Sequence, residues 1–117
     1  MRLNEISYND AVPIDGYGPG FFRVGGKKYD GAVLVLPTGV SSWGGFADTA
    51  AILDHVADID VLFVGTGAEI AHPPIAFRTV LEDAGIGVET MASPAACRTY
   101  NVLLSEGRRV AVALLPV

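Results

Sequence analysis

The sequence has little of what several classes of protein require. It contains one cysteine, Cys97, so no disulfide can form within the chain, which fits a reducing compartment. Its 8 basic residues are scattered except for the pairs Lys27-Lys28 and Arg108-Arg109, and the formal net charge is −5. A nucleic-acid surface needs a basic stripe to displace counterions from phosphate, and an anionic membrane surface attracts the same residues. We therefore expect neither kind of partner.

Long hydrophobic runs are also missing. The longest apolar runs, 32–37 and 110–117, are far too short for a helix that crosses a bilayer. The N-terminus carries Glu5, Asp10 and Asp15, unlike a signal peptide or an acid-poor transit peptide. We expect a cytoplasmic protein without direct membrane insertion, or a mature form that has lost a targeting segment.

Apolar residues are abundant, because they make up 50% of the 117 residues. A chain of this length can bury a core without disulfides, so we predict one α/β domain over residues 1–117. Residues 1–20 are weakly patterned and rich in Pro and Gly, which predicts an irregular or weakly structured segment. The alternative for this segment is a strand that begins at Ile6 and Tyr8.

The clearest element is the apolar run Val61 to Val64, which Gly65-Thr66-Gly67 follows. This pattern is typical of a buried parallel strand that ends in a tight turn. Earlier in the chain, Gly25-Gly26 predicts the turn of an N-terminal β-hairpin. The run 32–36 predicts a buried strand that ends at Pro37, since proline has no N–H to give to a sheet.

About three helices are predicted from apolar spacing and capping residues. They cover 48–57 with Asp48 as N-cap, 72–84, and 93–106 with Ser93 as N-cap and Pro94 in the first turn. Strands alternate with these helices in the second half, which predicts right-handed crossovers and a mixed, mostly parallel sheet. If the C-terminal strand lies at a sheet edge, it could pair across a homodimer.

Ligands of open parallel sheets bind beyond the carboxyl ends of the strands. The helix N–H groups and dipoles at such an edge favour an anion, so we predict a small-anion or small-ligand site there. Gly65-Thr66-Gly67 lacks the third glycine of a dinucleotide fingerprint, and a tight turn is the commoner role of such a pair. No cofactor is predicted. The candidate residues are Gly65, Thr66, Gly67, His72, Ser93, Cys97 and Arg98.

No catalytic or metal-binding constellation can be assembled from the sequence. Cys97 is near a helix N-terminus and beside Arg98, which lowers a thiol pKa, yet it also falls on the apolar stripe of its helix. A buried, structural thiol is the favoured interpretation. Two histidines and one cysteine at no ligand spacing do not predict a zinc site.

Three stretches together resemble a known family: VLVLPTGV at 33–40, LFVGTG at 62–67 and AACRTYNVLLSEGRR at 95–109. They are similar to the domain-of-unknown-function 498 family, which includes the mitochondrial respiratory complex I assembly factor 3. The resemblance covers nearly the whole chain from Phe22 on. It implies a single three-layer α/β domain, no agreed catalytic residues and, without a transit peptide, a bacterial relative.

Two functions of different classes follow. The first is a non-catalytic interaction protein that assists assembly of a complex I-type NADH dehydrogenase, with a respiratory-complex subunit or assembly factor as partner. The second is a small-ligand-binding domain or enzyme that uses the edge around Thr66, His72, Ser93 and Arg98.

Overall fold

A computed structural model describes residues 12–117, and residues 1–11, including Ile6 and Tyr8, lie outside the described part. Within 12–117 the chain forms two sheets and three helices. The number of helices is the predicted one, whereas the predicted N-terminal hairpin is part of a separate three-stranded sheet. In chain order the elements are β1 (Ile14–Gly18), β2 (Phe21–Val24), β3 (Lys27–Asp30), β4 (Val33–Leu36), β5 (Gly39–Ser42), α1 (Ala50–Leu53), β6 (Val61–Thr66), α2 (Ile75–Asp83), β7 (Gly87–Met91), α3 (Ser93–Ser105) and β8 (Val110–Leu115).

The larger sheet has five strands in the order β5-β4-β8-β6-β7. Strands β6, β7 and β8 are parallel, whereas β4 is antiparallel to both β5 and β8. The sheet is therefore mixed, as predicted, but the prediction that it is mostly parallel is wrong. Helix–strand alternation applies only to the second half of the chain, while the short turn at Pro37-Thr38 folds β5 back beside β4 as a hairpin.

The C-terminal strand β8 lies in the middle of this sheet, between β4 and β6. It is buried on both faces from Val110 to Leu114, as a central strand requires. The condition set for pairing across a homodimer, a C-terminal strand at a sheet edge, is therefore not met, because both edges of β8 are already paired.

Each face of the large sheet carries its own hydrophobic core. Alternate residues of β8 divide between the cores, with Ala111 and Ala113 on one face and Val112 and Leu114 on the other. Helices α1 and α2 contribute Ile52, Phe77 and Leu81 to the first core. Helix α3 and the small sheet contribute Ala96, Cys97, Tyr100, Phe22 and Val24 to the second. The large sheet thus lies between two layers.

The small sheet consists of β1, β2 and β3, all antiparallel. The predicted hairpin is confirmed, and its turn residues Gly25 and Gly26 have φ of 58° and 84°, which favour glycine. The predicted irregular segment is wrong over Ile14–Gly18, which forms β1. Its hydrogen-bonding partners are β2 and a distant side chain, so the local pattern of the sequence carries little sign of it.

That side chain is Asn101 of α3, whose carboxamide pairs with the free edge of β1. The Ile14 N–H donates to Asn101 Oδ1 at 2.8 Å, and Asn101 Nδ2 donates to the Ile14 carbonyl at 2.8 Å. The side-chain amide therefore pairs with the edge of β1 in the way that the backbone of a neighbouring strand would. Nearby, the Tyr100 hydroxyl donates to the Val12 carbonyl at 3.0 Å. These bonds attach the start of the described chain to α3.

We expect Asn101→Ala to lower the free energy of unfolding by about 1–3 kcal/mol, because it leaves a strand N–H and C=O without partners. Amide hydrogen exchange at Ile14 should accelerate in the variant. Val102→Ala is the matched control, since Val102 is the next residue and is 55% exposed. Denaturant titrations of both variants check the prediction, and equal stabilities would contradict it.

The first helix is shorter than predicted, and Asp48 is not its cap. Helix α1 covers Ala50–Leu53, and the residue before it, Thr49, makes no side-chain capping bond. Asp48 instead binds the preceding loop. Its carboxylate accepts from the Gly44 N–H at 3.0 Å, and its backbone carbonyl accepts from Trp43 Nε1 at 3.0 Å. Trp43 is buried, as the core role of an indole predicts.

Within residues 12–117, no helix is long and apolar enough to cross a membrane.

Candidate functional site

The carboxyl ends of the three parallel strands meet at one edge of the large sheet, which we call the strand-end edge. Its residues are Thr66 at the end of β6, Met91 at the end of β7 and Leu115 at the end of β8. Helix α3 begins here, directly after β7. The structure brings four of the predicted site residues together at this edge: Gly65, Thr66, Gly67 and Ser93.

Ser93 is the centre of this arrangement. It is fully buried, and its Oγ donates to the Leu115 carbonyl at 2.6 Å and accepts from the Gly67 N–H at 2.9 Å. Its own N–H donates to the Gly67 carbonyl at 2.7 Å. The prediction of Ser93 as N-cap is wrong, because Ala92 precedes the helix and Ser93 makes no capping bond. One serine therefore joins the ends of β6 and β8 to the start of α3.

Gly65 is the residue that lets Ser93 come so close. A Cβ at position 65 would lie 2.6 Å from Ser93 Oγ, 2.8 Å from Ser93 Cα and 2.7 Å from Leu114 Cδ2. The residue lies inside β6, which continues to Thr66, so the predicted turn begins two residues later than expected. Gly67, with φ of 102°, is the residue at which the backbone leaves the strand.

Thr66 fixes the loop that follows β6. Its hydroxyl proton is directed at the Glu69 carbonyl, 2.8 Å away, with the Met91 carbonyl at 3.2 Å, and its Oγ1 accepts from the Ala71 N–H at 3.0 Å. A threonine that binds both ends of a short loop restricts it to one conformation. The loop is therefore ordered by the strand-end edge itself.

These bonds occupy the N–H and hydroxyl groups that would have to bind an anion at the strand-end edge. The Gly67 N–H donates to Ser93, and both the hydroxyl of Ser93 and that of Thr66 bind backbone carbonyls. His72 and Arg98 are exposed, and neither has a hydrogen bond to this edge among the described residues. Anion binding stays a prediction, and it would have to displace bonds that the chain already makes.

Arg98 instead lines a shallow open groove on α3. The groove has a volume of about 280 Å³, and Thr99, Val102 and Leu103 complete its lining. No second charged side chain lines it. Within residues 12–117, no group of three or more His, Cys, Asp and Glu side chains could hold a metal ion.

Cys97 is buried in the core beneath α3. Burial raises the pKa of its thiol from 9.0 to about 11, and the opposing effect of the Arg98 charge is smaller. Burial also raises the pKa of Tyr100. The structural interpretation of Cys97 fits these surroundings, because a protonated thiol packed among apolar side chains is a poor nucleophile.

We expect iodoacetamide to alkylate Cys97 in the native protein at least about 100-fold more slowly than in the urea-unfolded chain at pH 8. The two pH units between the native and ordinary pKa correspond to about 100-fold less thiolate, and burial adds to the protection. Mass spectrometry of quenched samples measures both rates. A native rate within tenfold of the unfolded rate would contradict the burial of this thiol.

The same shift predicts how stability changes at alkaline pH. Because the pKa of Cys97 is higher in the folded state, the folded protein binds the thiol proton more tightly than the unfolded chain does. The stability that this difference adds is fully present below pH 9. It is lost as the pH rises from 9.0 to about 11. Urea titrations across that range should show a smaller loss for Cys97→Ala than for the unchanged protein.

Comparisons with known proteins identify the family. Residues 14–115 match the family described as "Protein of unknown function (DUF498/DUF598)". An uncharacterized protein of Rhodobacter capsulatus is 46% identical over 117 residues, which cover 100% of this chain and 94% of the relative. The mouse protein called NADH dehydrogenase (ubiquinone) 1 alpha subcomplex assembly factor 3 is 31% identical over 125 residues, covering 99% of this chain and 66% of its own.

Solved structures agree with this assignment. A crystal structure from Bartonella henselae, described as an outer membrane protein, has a TM-score of 0.83 and 36% identity and covers 90% of this chain and 94% of its own. A Bordetella parapertussis crystal structure has a TM-score of 0.80 and 35% identity, covering 92% of this chain and 97% of its own. The chain spans 60–66% of the length of the vertebrate assembly factors. It belongs to the DUF498/DUF598 family, of which complex I assembly factor 3 is a distant relative, as the resemblance in its sequence predicts.

Proposed function

We propose that this chain is a non-catalytic interaction protein that assists assembly of a complex I-type NADH dehydrogenase from the cytoplasmic side. One observation carries the proposal: Ser93 fills the strand-end edge, where an open α/β sheet would hold a ligand. Its hydroxyl bonds the Gly67 N–H and the Leu115 carbonyl, so both groups are already satisfied. Because these groups are already bonded within the chain, the proposal assigns the function to the outer surface of the protein.

The relatives support the same class of function. The mouse, zebrafish and rat proteins that match this chain are all called assembly factor 3 of an NADH dehydrogenase subcomplex. The similarity extends over 88–99% of this chain, so the whole α/β unit corresponds to part of those proteins. A subunit or assembly factor of the respiratory complex is the partner that this similarity suggests.

Deletion of the gene tests the proposal. We expect less fully assembled NADH dehydrogenase on native gels of the deletion strain, with assembly restored by the unchanged gene. Affinity purification of the tagged chain at native expression should recover subunits of that complex. Unchanged assembly together with a purification that contains no such subunits would reject the proposal. Fractionation of the same cells tests the cytoplasmic location.

The alternative is a small-ligand-binding domain, and the open groove beside Arg98 is the observation that favours it. Arg98 is exposed and gives this groove its positive charge, which suits a small anion. Native mass spectrometry of the purified protein tests this function directly. A bound small molecule that Arg98→Ala abolishes would support it, and a protein of unmodified mass would count against it.

A further inference from the structure

The two most exposed large apolar side chains among residues 12–117, Ile75 and Ile70, lie on one short segment after β6. Ile75 at the start of α2 is 82% exposed, Ile70 on the preceding loop is 65% exposed, and Val80, five residues after Ile75 on α2, is 43% exposed. Ala76 and Thr79, between them on the helix, are also exposed. We call these five residues the α2 surface. Single exposed apolar residues are common, but a group on one element marks an interaction site.

Helix α2 does not need these residues for its own packing. Phe77 and Leu81 are buried and fix the helix to the first core. Arg78 turns to the sheet, where its Nη2 donates to the Val88 carbonyl at 2.8 Å. The core side of α2 is therefore complete without Ile75 and Val80, and a surface helix ordinarily carries polar residues on its other side.

The loop that presents Ile70 is held in place before any partner arrives. Thr66 Oγ1 binds the backbone on both sides of Ile70, at the Glu69 carbonyl and the Ala71 N–H. A contact on an ordered loop costs less conformational entropy on binding than one on a flexible loop. An exposed isoleucine on such a loop is thus suited to be a binding anchor.

The charges around the α2 surface are negative. Glu69 and Asp83 are exposed at its two ends, and among residues 12–117 neither side chain has an ion pair. Arg78, the one cation of α2, is already engaged by Glu82 at 3.1 Å. Since the whole chain also carries a net charge of −5, the complementary partner is cationic.

The size of the surface selects the kind of partner. A nine-residue helix is about 13 Å long and about 10 Å wide, so the area of its exposed side is far below the ~800 Å² per partner of a stable dimer. A second copy of this chain would also repeat Glu69 and Asp83, so like charges would meet. Ala76 and Thr79 are smaller than Ile75 and Val80, between which they lie, and a row of small residues on a helix suits the approach of a ridge of another helix.

We infer that the α2 surface docks one amphipathic helix of a partner protein, whose apolar face contacts Ile70, Ile75 and Val80. Lysine or arginine residues flank that apolar face and lie against Glu69 and Asp83. This inference rests on the proposed function, because it takes the chain to act by binding a protein. It adds the surface and the chemistry of the partner segment, which the relationship to assembly factors does not supply.

Site-specific crosslinking in the full-length protein at native expression tests the inference. A photoreactive p-benzoylphenylalanine replaces Ile75, and the matched control carries it at Val102, which is 55% exposed on α3. We expect an adduct from position 75 at a yield at least about tenfold above that from position 102. Mass spectrometry of the crosslinked peptide should show apolar residues at helical spacing with flanking Lys or Arg.

The outcomes separate this inference from the proposed function. A crosslinked basic amphipathic helix from a protein outside NADH dehydrogenase supports the inference and rejects the proposed partner. Recovery of NADH dehydrogenase subunits that Ile70→Ser with Ile75→Ser leaves unchanged rejects the inference and keeps the proposed function. An adduct with a second copy of this chain, an acidic crosslinked peptide, or no adduct from position 75 would each overturn the inference.

Discussion

Ser93→Ala is expected to lower the free energy of unfolding by about 2–4 kcal/mol, because a buried N–H and a partly buried carbonyl lose their partner at once. The Leu115 carbonyl loses its donor, and the Gly67 N–H loses its acceptor. The methyl group of alanine fits the space of the serine side chain, so the change removes the hydroxyl without a new steric contact. A urea titration followed by circular dichroism measures the loss.

Ser105→Ala is the matched control for this experiment. Ser105 is the last residue of the same helix, and its exposed hydroxyl donates to the Val102 carbonyl of its own helix at 2.6 Å. Because water replaces that bond, we expect a change within about 0.5 kcal/mol. If both variants lose the same stability, the buried hydroxyl does not join the strand ends, and the closed edge that supports the proposed function would be in doubt.

Amide exchange locates the effect of Ser93→Ala within the fold. The Gly67 N–H should exchange faster in the variant even under conditions where the protein stays fully folded, because its acceptor is gone. The Ser93 N–H, which donates to the Gly67 carbonyl, keeps its partner. A general acceleration of all amides would indicate global destabilisation alone, without the local bond that the structure contains.

The sequence predicts the elements whose signals are local. The apolar run from Val61 predicts β6, the glycine pair at Gly25-Gly26 predicts the hairpin, and apolar spacing predicts the burial of Cys97. In each case the residues that form the structural feature also contain the sequence pattern that predicts it. Strand pairing is different, because nothing within β8 specifies β4 as its antiparallel neighbour.

Polar residues are where local patterns mislead. Ser93 before Pro94 has the pattern of a helix cap, yet its hydroxyl bonds Gly67, just after β6, and Leu115, at the end of β8. Asp48 has the same capping chemistry and binds the Gly44 N–H instead. For Ser93 the tertiary fold brings in partners that are distant in the sequence, whereas for Asp48 the loop before it competes with the helix after it for the same carboxylate.

Gly65→Ala is expected to lower the free energy of unfolding by about 2–3 kcal/mol through overpacking, since close-packed interiors tolerate even one added methyl group poorly. The new Cβ would lie within 3.0 Å of three atoms of Ser93 and Leu114. One of them, Ser93 Cα, is a backbone atom at the start of α3, which the bonds of Ser93 to Gly67 and Leu115 hold in place. Denaturant titration against Gly16→Ala checks the prediction, because a Cβ at Gly16 meets nothing within 4 Å.

The double variant Gly65→Ala with Ser93→Ala distinguishes the causes. Removing Ser93 Oγ eliminates the shortest of the three contacts, at 2.6 Å, so the double variant should lose less stability than the sum of the single variants. The contacts with Ser93 Cα and Leu114 Cδ2 persist, so it should remain less stable than Ser93→Ala alone. Strict additivity would mean that Gly65 and Ser93 are not in contact. Gly65 would then be needed for the backbone conformation of β6 and not for the close approach of α3 to β6.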